Sequence, residues 1–322
     1  MLQQKQRRHI KRTCEMEFKK KMMMVSRRSQ LVILFVGLLT AIVGLPASSS
    51  AHVLELVDGN SVVRLDPHSQ AGLKDWEVEG VDHQAQHWFW FRTGSAGHEV
   101  SLDTLPLLNE ELHGSDHQLH VRYGGPVGAV RSILHPASLQ VDIVYQLMGG
   151  APGTGGSWFD QLVTLKNTGT TPLPLEWFEY NNLDLSGSGP GDIAQFFPSG
   201  GIGGPDLLGQ ADLGDPLTLY IERGMGVSPS HFEIGPYASI LSRLNDGLPT
   251  TLLDGINPYL TPDDIAFAFQ YHLFLEPGAS IAIARLMDIN DDFPHPPVPE
   301  PGTFVLLGSG LLPFFFRRRK LS

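Results

Sequence analysis

The sequence predicts an all-β fold, a large antiparallel β-sandwich, and three observations carry that expectation. Leu139, Val141, Ile143 and Tyr145 alternate with other residues in strict period two, the pattern of a half-buried strand. Glycine and proline are abundant, 35 and 24 of 322 residues, which suits strands and turns better than helices. Between residues 52 and 293 no long stretch repeats its apolar residues at helical spacing.

The elements follow in chain order. Gln86, His87, Trp88, Phe89, Trp90, Phe91 and Arg92 read as a strand, and apolar side chains on both of its faces imply a buried central position. Asp103 to Leu112 and Asp206 to Leu213 are expected as short helices. Ser138 to Leu147 and Trp158 to Lys166 are strands, the second carrying Leu162, Val163 and Leu165. The run Asn167 to Pro172 is a turn cluster, after which Leu173, Leu175, Trp177, Phe178 and Tyr180 resume extended structure. The glycine-rich stretch Ser186 to Gly204 is the expected long surface loop. Ile265 to Leu275 and Ser280 to Leu286 are two further strands, joined through Glu276, Pro277, Gly278 and Ala279 in a hairpin-like turn. One sandwich over residues 52–293 is the leading arrangement. Two smaller ones, divided near residue 150 or 200, are the alternative.

Charge is distributed unevenly. Ten of the 23 Lys and Arg lie in residues 1–28 and four in residues 317–320, which leaves nine for the body. Against them stand 31 Asp and Glu from Glu55 to Asp292, so the body carries a formal charge of −22. Such a surface repels nucleic acid and anionic headgroups, and no nucleic-acid partner is expected. The only cysteine is Cys14, so the body has no disulfide framework and no thiolate metal site.

The N-terminal 51 residues read as a signal peptide, with residues 22–51 sufficient by themselves because Met22, Met23 and Met24 are alternative starts. Arg27 and Arg28 form the positive flank, Leu31 to Leu45 the apolar core, and Ser49 and Ala51 the small-residue cleavage site after Ala51. Export through the Sec translocase and cleavage by signal peptidase are the expected route.

Residues 294–322 form a tail of three parts. Pro296, Pro297, Val298, Pro299, Glu300, Pro301 and Gly302 make a stiff, non-helical stretch. Phe304 to Phe316 is apolar, and Arg317, Arg318, Arg319 and Lys320 close it as a basic stop on the cytoplasmic side. A helix over the apolar part reaches about 20 Å, short of a bilayer core of about 30 Å, which suits a transient inner-membrane anchor. Pro299-Glu300-Pro301 with Gly302, the apolar segment and the arginine cluster together resemble the PEP-CTERM sorting tail. That resemblance implies recognition and removal of the tail by exosortase, with delivery to the cell surface or extracellular matrix. The sorting motif it implies is Val298, Pro299, Glu300, Pro301 and Gly302.

Candidate sites in the body are few. His83 and His87, and then His113, His117 and His120, could reach a metal only if the chain brought them to one face. Strand spacing sets His83 and His87 roughly 13 Å apart, so dispersed surface histidines are expected. Asn181, Asn182, Asp184, Ser186, Ser188 and Asp192 supply oxygen ligands in a glycine-containing stretch, the set that Ca2+ prefers. Asn182, Asp184 and Asp192 are the candidate ligands, with Asp288, Asn290, Asp291 and Asp292 a second acidic group. Trp76, Trp88, Trp90, Trp158 and Trp177 are candidate sugar platforms if exposed, but core positions are expected for them. No Gly-x-Ser-x-Gly, His-Glu-x-x-His or phosphate loop is present. The expectation is therefore an exported, noncatalytic surface or matrix protein with no catalytic residue. A carbohydrate-binding module for exopolysaccharide and a secreted glycan-active enzyme are the alternatives.

Overall fold

The computed structural model describes residues 52–94, 97–124, 138–187, 189–198, 206–214 and 218–290. The expected signal cleavage at Ala51, the sorting motif Val298 to Gly302, the basic stop Arg317 to Lys320, and Ser188, Asp291 and Asp292 lie outside those residues.

Two antiparallel layers face each other. The first contains β1 (Leu54–Asp58), β2 (Ser61–Asp66), β3 (Gly72–Val78), β4 (Val81–Asp82), β5 (Gln84–Thr93) and β6 (Val100–Ser101). The second begins with β7 (Leu107–His113), β8 (Gln118–Gly124), β9 (Leu139–Gly149) and β10 (Ser157–Asn167). The chain then crosses back to β11 (Leu173–Leu183), and returns for β12 (Pro190–Phe197), β13 (Asp206–Asp212) and β14 (Leu219–Met225). Next come β15 (His231–Pro236) and the helix α1 (Tyr237–Leu244), followed by β16 (Tyr259–Leu275) and β17 (Ser280–Ile289).

In the first layer the ladders run β1, β2, β3, β5, β11, β16, β15, with a brief parallel contact between β3 and β5. In the second they run β7, β8, β9, β10, β17, β14, β13, β12. Strand β16 joins the two: Ala266 to Leu275 pair with β11, while Tyr259 to Asp264 pair with β12.

The period-two reading holds where it was clearest. On β9, Leu139, Val141, Ile143, Tyr145 and Leu147 are all buried and the residues between them are half-exposed. On β10, Phe159, Gln161, Val163 and Leu165 point inward, while Trp158, Asp160, Leu162, Thr164 and Lys166 point outward. Trp88, Phe89, Trp90 and Phe91 are all buried, as a central strand requires. Phe89 and Phe91 face the other layer. Trp90 donates to Asn245 Oδ1 beyond the end of α1, and Trp88 to Ser101 Oγ.

Four expectations are corrected. Asp206 to Asp212 is strand β13, not a helix, because Asp206, Leu208, Gln210 and Asp212 alternate inward. Asp103 to Leu112 holds only a 3-10 turn at Leu102–Thr104 before β7 takes over. The stretch Ser186 to Gly204 is not all loop, since Pro190–Phe197 forms β12. The turn Glu276 to Ala279 links β16 in one layer to β17 in the other, so it is an arch between layers and not a hairpin. The one α-helix among the described residues, α1, starts after Pro236 and buries Ile240 and Leu244, a spacing of four that sets both on one face. No helix among the described residues is long and apolar enough to cross a membrane.

Candidate functional site

The inward faces of the two layers meet over a buried polar network that parity along the strands assembles. Trp177, Glu179 and Asn181 alternate inward on β11, and His87 stands opposite Asn181 on β5. From the other layer come Gln161 of β10, Tyr220 and Glu222 of β14, and Arg285 of β17. Arg285 is 1% exposed, and Glu179 and Glu222 are each 2% exposed. Arg285 Nε donates to Glu179 Oε2 at 3.2 Å and lies 3.2 Å from Glu222 Oε1. Its terminal nitrogen donates to the Tyr271 hydroxyl, and its guanidinium carbon sits 4.1 Å from the centre of the Phe269 ring.

The network continues on both sides. Gln161 Nε2 donates to Glu179 Oε1 at 2.7 Å, and His87 Nε2 lies 3.1 Å from the same oxygen. Tyr220 donates to Glu222 Oε2 at 2.8 Å, Asn181 donates to the Tyr220 oxygen at 3.1 Å, and Gln84 donates to Asn181 Oδ1 at 2.8 Å. Burial alone would raise the Glu179 carboxyl, but Arg285, His87 and Gln161 outweigh it and hold it down to about 2. Burial raises the Glu222 carboxyl despite the pull of Arg285. Glu179 is thus the charge that neutralises Arg285. These groups bind chiefly one another and are sealed from water, which makes the network a structural clamp between the layers.

The outward face of the second layer is different. Trp158 is half-buried there, opposite Met148 on one side and Asp288 on the other. Two residues along the same face, Asp160 stands opposite Gln146 and Leu286. Burial pushes the Asp160 carboxyl up to about 6, and no charge or hydrogen bond among the described residues offsets it. Asp288 by contrast is bound by Arg223 at 2.6 Å. Beside Trp158 a depression of about 330 Å³ is lined by Met148, Gly149, Gly150, Ala151, Gly156, Ser157 and Trp158. That volume is at the lower end of small-ligand pockets, about 300–1,000 Å³.

The residues expected from sequence to bind calcium lie on two segments, Asn182 and Asp184 at the end of β11 and Asp192 on β12. Asn182 is buried on the outward face of β11, and Asp184 follows at the strand's end. Asp192 is fully buried on the inward face of β12, where Gln210 Nε2 donates to its Oδ2 at 2.6 Å. Burial and the nearby Asp212 and Asp184 push the Asp192 carboxyl up to about 8. In the second acidic group, Asp288 is held by Arg223 and Asn290 Oδ1 accepts from the Leu219 amide at 2.7 Å. Among the described residues no three His, Cys, Asp or Glu side chains converge as a metal-holding group.

The expectation of dispersed surface histidines is corrected for two of them. His87 is buried against Glu179, and His83 is buried with its Nδ1 accepting from the Ser186 amide at 3.1 Å. His120 and His113 stay on the outward face beside Asp142 and Glu111. Trp76, Trp88, Trp90 and Trp177 are fully buried, which leaves Trp158 as the tryptophan that reaches the surface.

Arg285, Glu179, Glu222 and Asp160 were missed by sequence reasoning. Parity was the usable signal: Arg285 shares a face with Ile283, and Glu179 with Trp177, so each stood at a core position. Asp160 shares its face with Trp158 and carried the same cue outward.

The PEP-CTERM protein-sorting motif matches residues 297–320. No curated protein matches the chain. Among solved structures, a galactose mutarotase related enzyme from Lactobacillus acidophilus is 8% identical over 76% of this chain and all of its own, with a TM-score of 0.45. An aldose epimerase homologue from C. elegans is 9% identical, covering 74% of this chain and 98% of its own, with a TM-score of 0.44. A bacterial glucoamylase complexed with acarbose is 6% identical over 76% of this chain and 34% of its own, with a TM-score of 0.49. Likenesses at this level carry no functional meaning for the chain.

Proposed function

The chain is a PEP-CTERM protein, an exosortase substrate exported to the cell surface, and on that premise we propose that its body is a noncatalytic surface or matrix domain that holds carbohydrate. It would enter through the Sec translocase and lose its leader to signal peptidase after Ala51. The single observation that supports the reading is the pairing of Trp158 with Asp160 on the outward face of the second layer. An indole offers an apolar platform to the C–H face of a sugar ring. A carboxylate with no partner among the described residues accepts hydroxyl donors, and Gln146 across the ladder offers both donor and acceptor. The formal charge of −22 on the body favours an uncharged sugar chain over an acidic one.

Noncatalytic binding is favoured because the most convergent charged groups, Glu179, Glu222 and Arg285, are enclosed between the layers. The test titrates the processed protein with exopolysaccharide from its host and follows tryptophan fluorescence. Saturable quenching that weakens about tenfold in Trp158→Ala, a loss of about 1.4 kcal/mol, is expected. Equal binding by the variant would remove the assignment to this face. Release of new reducing ends during the titration would make the body a glycan-active enzyme instead.

A further inference from the structure

We propose that Asp184, Asp264 and Asn182 form a calcium site at the end of β11. Gly189 packs against both carboxylates. A Cβ at that position would stand 2.9 Å from Asp184 Oδ1 and 3.0 Å from Asp264 Oδ2, so the two carboxylates converge on one point, one from just past β11 and one from β16. Among the described residues no Lys, Arg or His forms an ion pair with either. Asp264 Oδ1 is sealed from solvent without a hydrogen-bond partner. A second observation is independent of the carboxylates. Asn182, 6% exposed, also holds a buried side-chain oxygen without a partner. It stands opposite Ala266 on β16, and Asp264 lies two residues along that strand, on the same face and one diagonal step away.

Two carboxylates and an amide oxygen in this arrangement supply up to five hard oxygen ligands, and water completes the six to eight that Ca2+ takes. Burial, and then the like charges of Asp264 and Asp82, raise the Asp184 carboxyl; burial, and then Asp263, raise that of Asp264. A bound divalent cation reverses both penalties. Magnesium fits less well, because it demands a tight octahedron that the strands do not preform. Asp192, on the other face of its sheet and held by Gln210, is not a ligand.

The test uses the processed protein from its host after removal of divalent ions by chelator. Calcium alone is added and binding is followed by calorimetry and by thermal melting. A Kd of about 0.1–1 mM, the range of extracellular calcium modules, is expected, with a Tm that rises with calcium. Asp264→Asn weakens binding at least tenfold, while Asp192→Asn binds as the wild type does. Terbium luminescence in the wild-type protein gives a readout that needs no variant: Tyr180, whose hydroxyl feels both Asp264 and Asp184, would sensitise it, and calcium would quench it. Absence of heat, Tm rise and luminescence up to about 10 mM calcium overturns the site. So does unchanged binding in folded Asp264→Asn, and equal binding of magnesium removes the assignment to calcium. Glycan binding at Trp158 is measured separately and survives either result.

Discussion

At the scale of single residues, the molecule places its strongest electrostatics where no solvent reaches. Arg285 has Glu179 as its charge partner, so Arg285→Met strands an ionised carboxylate between two layers. The expected cost is about 3–5 kcal/mol. Thermal melting at neutral pH would show it as a fall of roughly 6–20 °C, at about 2–4 °C per kcal/mol for a domain of this size. A loss below about 1 kcal/mol would mean that the clamp is not the electrostatic unit described here. Asp192 gives the opposite pH signature. Its folded carboxyl is raised to about 8, above the ordinary 3.8, so its contribution is fully present below about pH 4 and is lost as pH rises through 8. Asp192→Asn should therefore match the wild type near pH 4 and gain stability relative to it up to pH 8. A difference in Tm that stays flat across that window would contradict the assignment. Glu179, depressed to about 2, stabilises above the ordinary 4.5 and loses that contribution as pH falls from 4.5 to 2.

At the scale of elements, the β9–β10 hairpin carries the outward face and depends on one close approach. A Cβ on Gly149 would stand 1.8 Å from the Asp58 carbonyl oxygen in the β1–β2 turn, and Asp58 Oδ2 accepts from the Gly149 amide at 2.9 Å. Gly149→Ala should cost about 1–3 kcal/mol by overpacking and loosen the depression beside Trp158. Urea unfolding measures the loss, and a cost near zero would mean that the turn yields freely. The strands were legible where alternation was strict, as in β9, or where apolar residues filled both faces, as in β5. The short helices expected at Asp103 and Asp206 failed because acidic residues near apolar ones mimic a helix start. In β13 the inward Asp206 and Asp212 are instead buried polar positions that local pattern cannot distinguish. Crossings between layers were illegible for another reason: Glu276 to Ala279 has turn chemistry, but that chemistry does not say which sheet the next strand joins. The interior network was readable only by following parity through Trp177, Glu179 and Asn181. Its closure by Arg285 is a tertiary fact, since 106 residues separate it from Glu179.

At the scale of the whole molecule, the sorting motif at residues 297–320 sends the protein to the cell surface, and β17 ends at Ile289. The sandwich closes around its own charges, while Trp158, Asp160 and Gln146 lie on the outward face of the second layer, the face to which carbohydrate binding is proposed. The tail was the most legible part of the chain because its signal is linear: motif, apolar run, basic stop. The outward face proposed to bind carbohydrate was the least legible because it is assembled from β9, β10 and β17. The most direct test is the fraction of processed protein that sediments with the cell-surface polysaccharide, compared between wild type and Trp158→Ala expressed from the native locus. The account predicts equal processing of the two, with the wild type retained and most of the variant released into the medium. Equal retention of both proteins would contradict it.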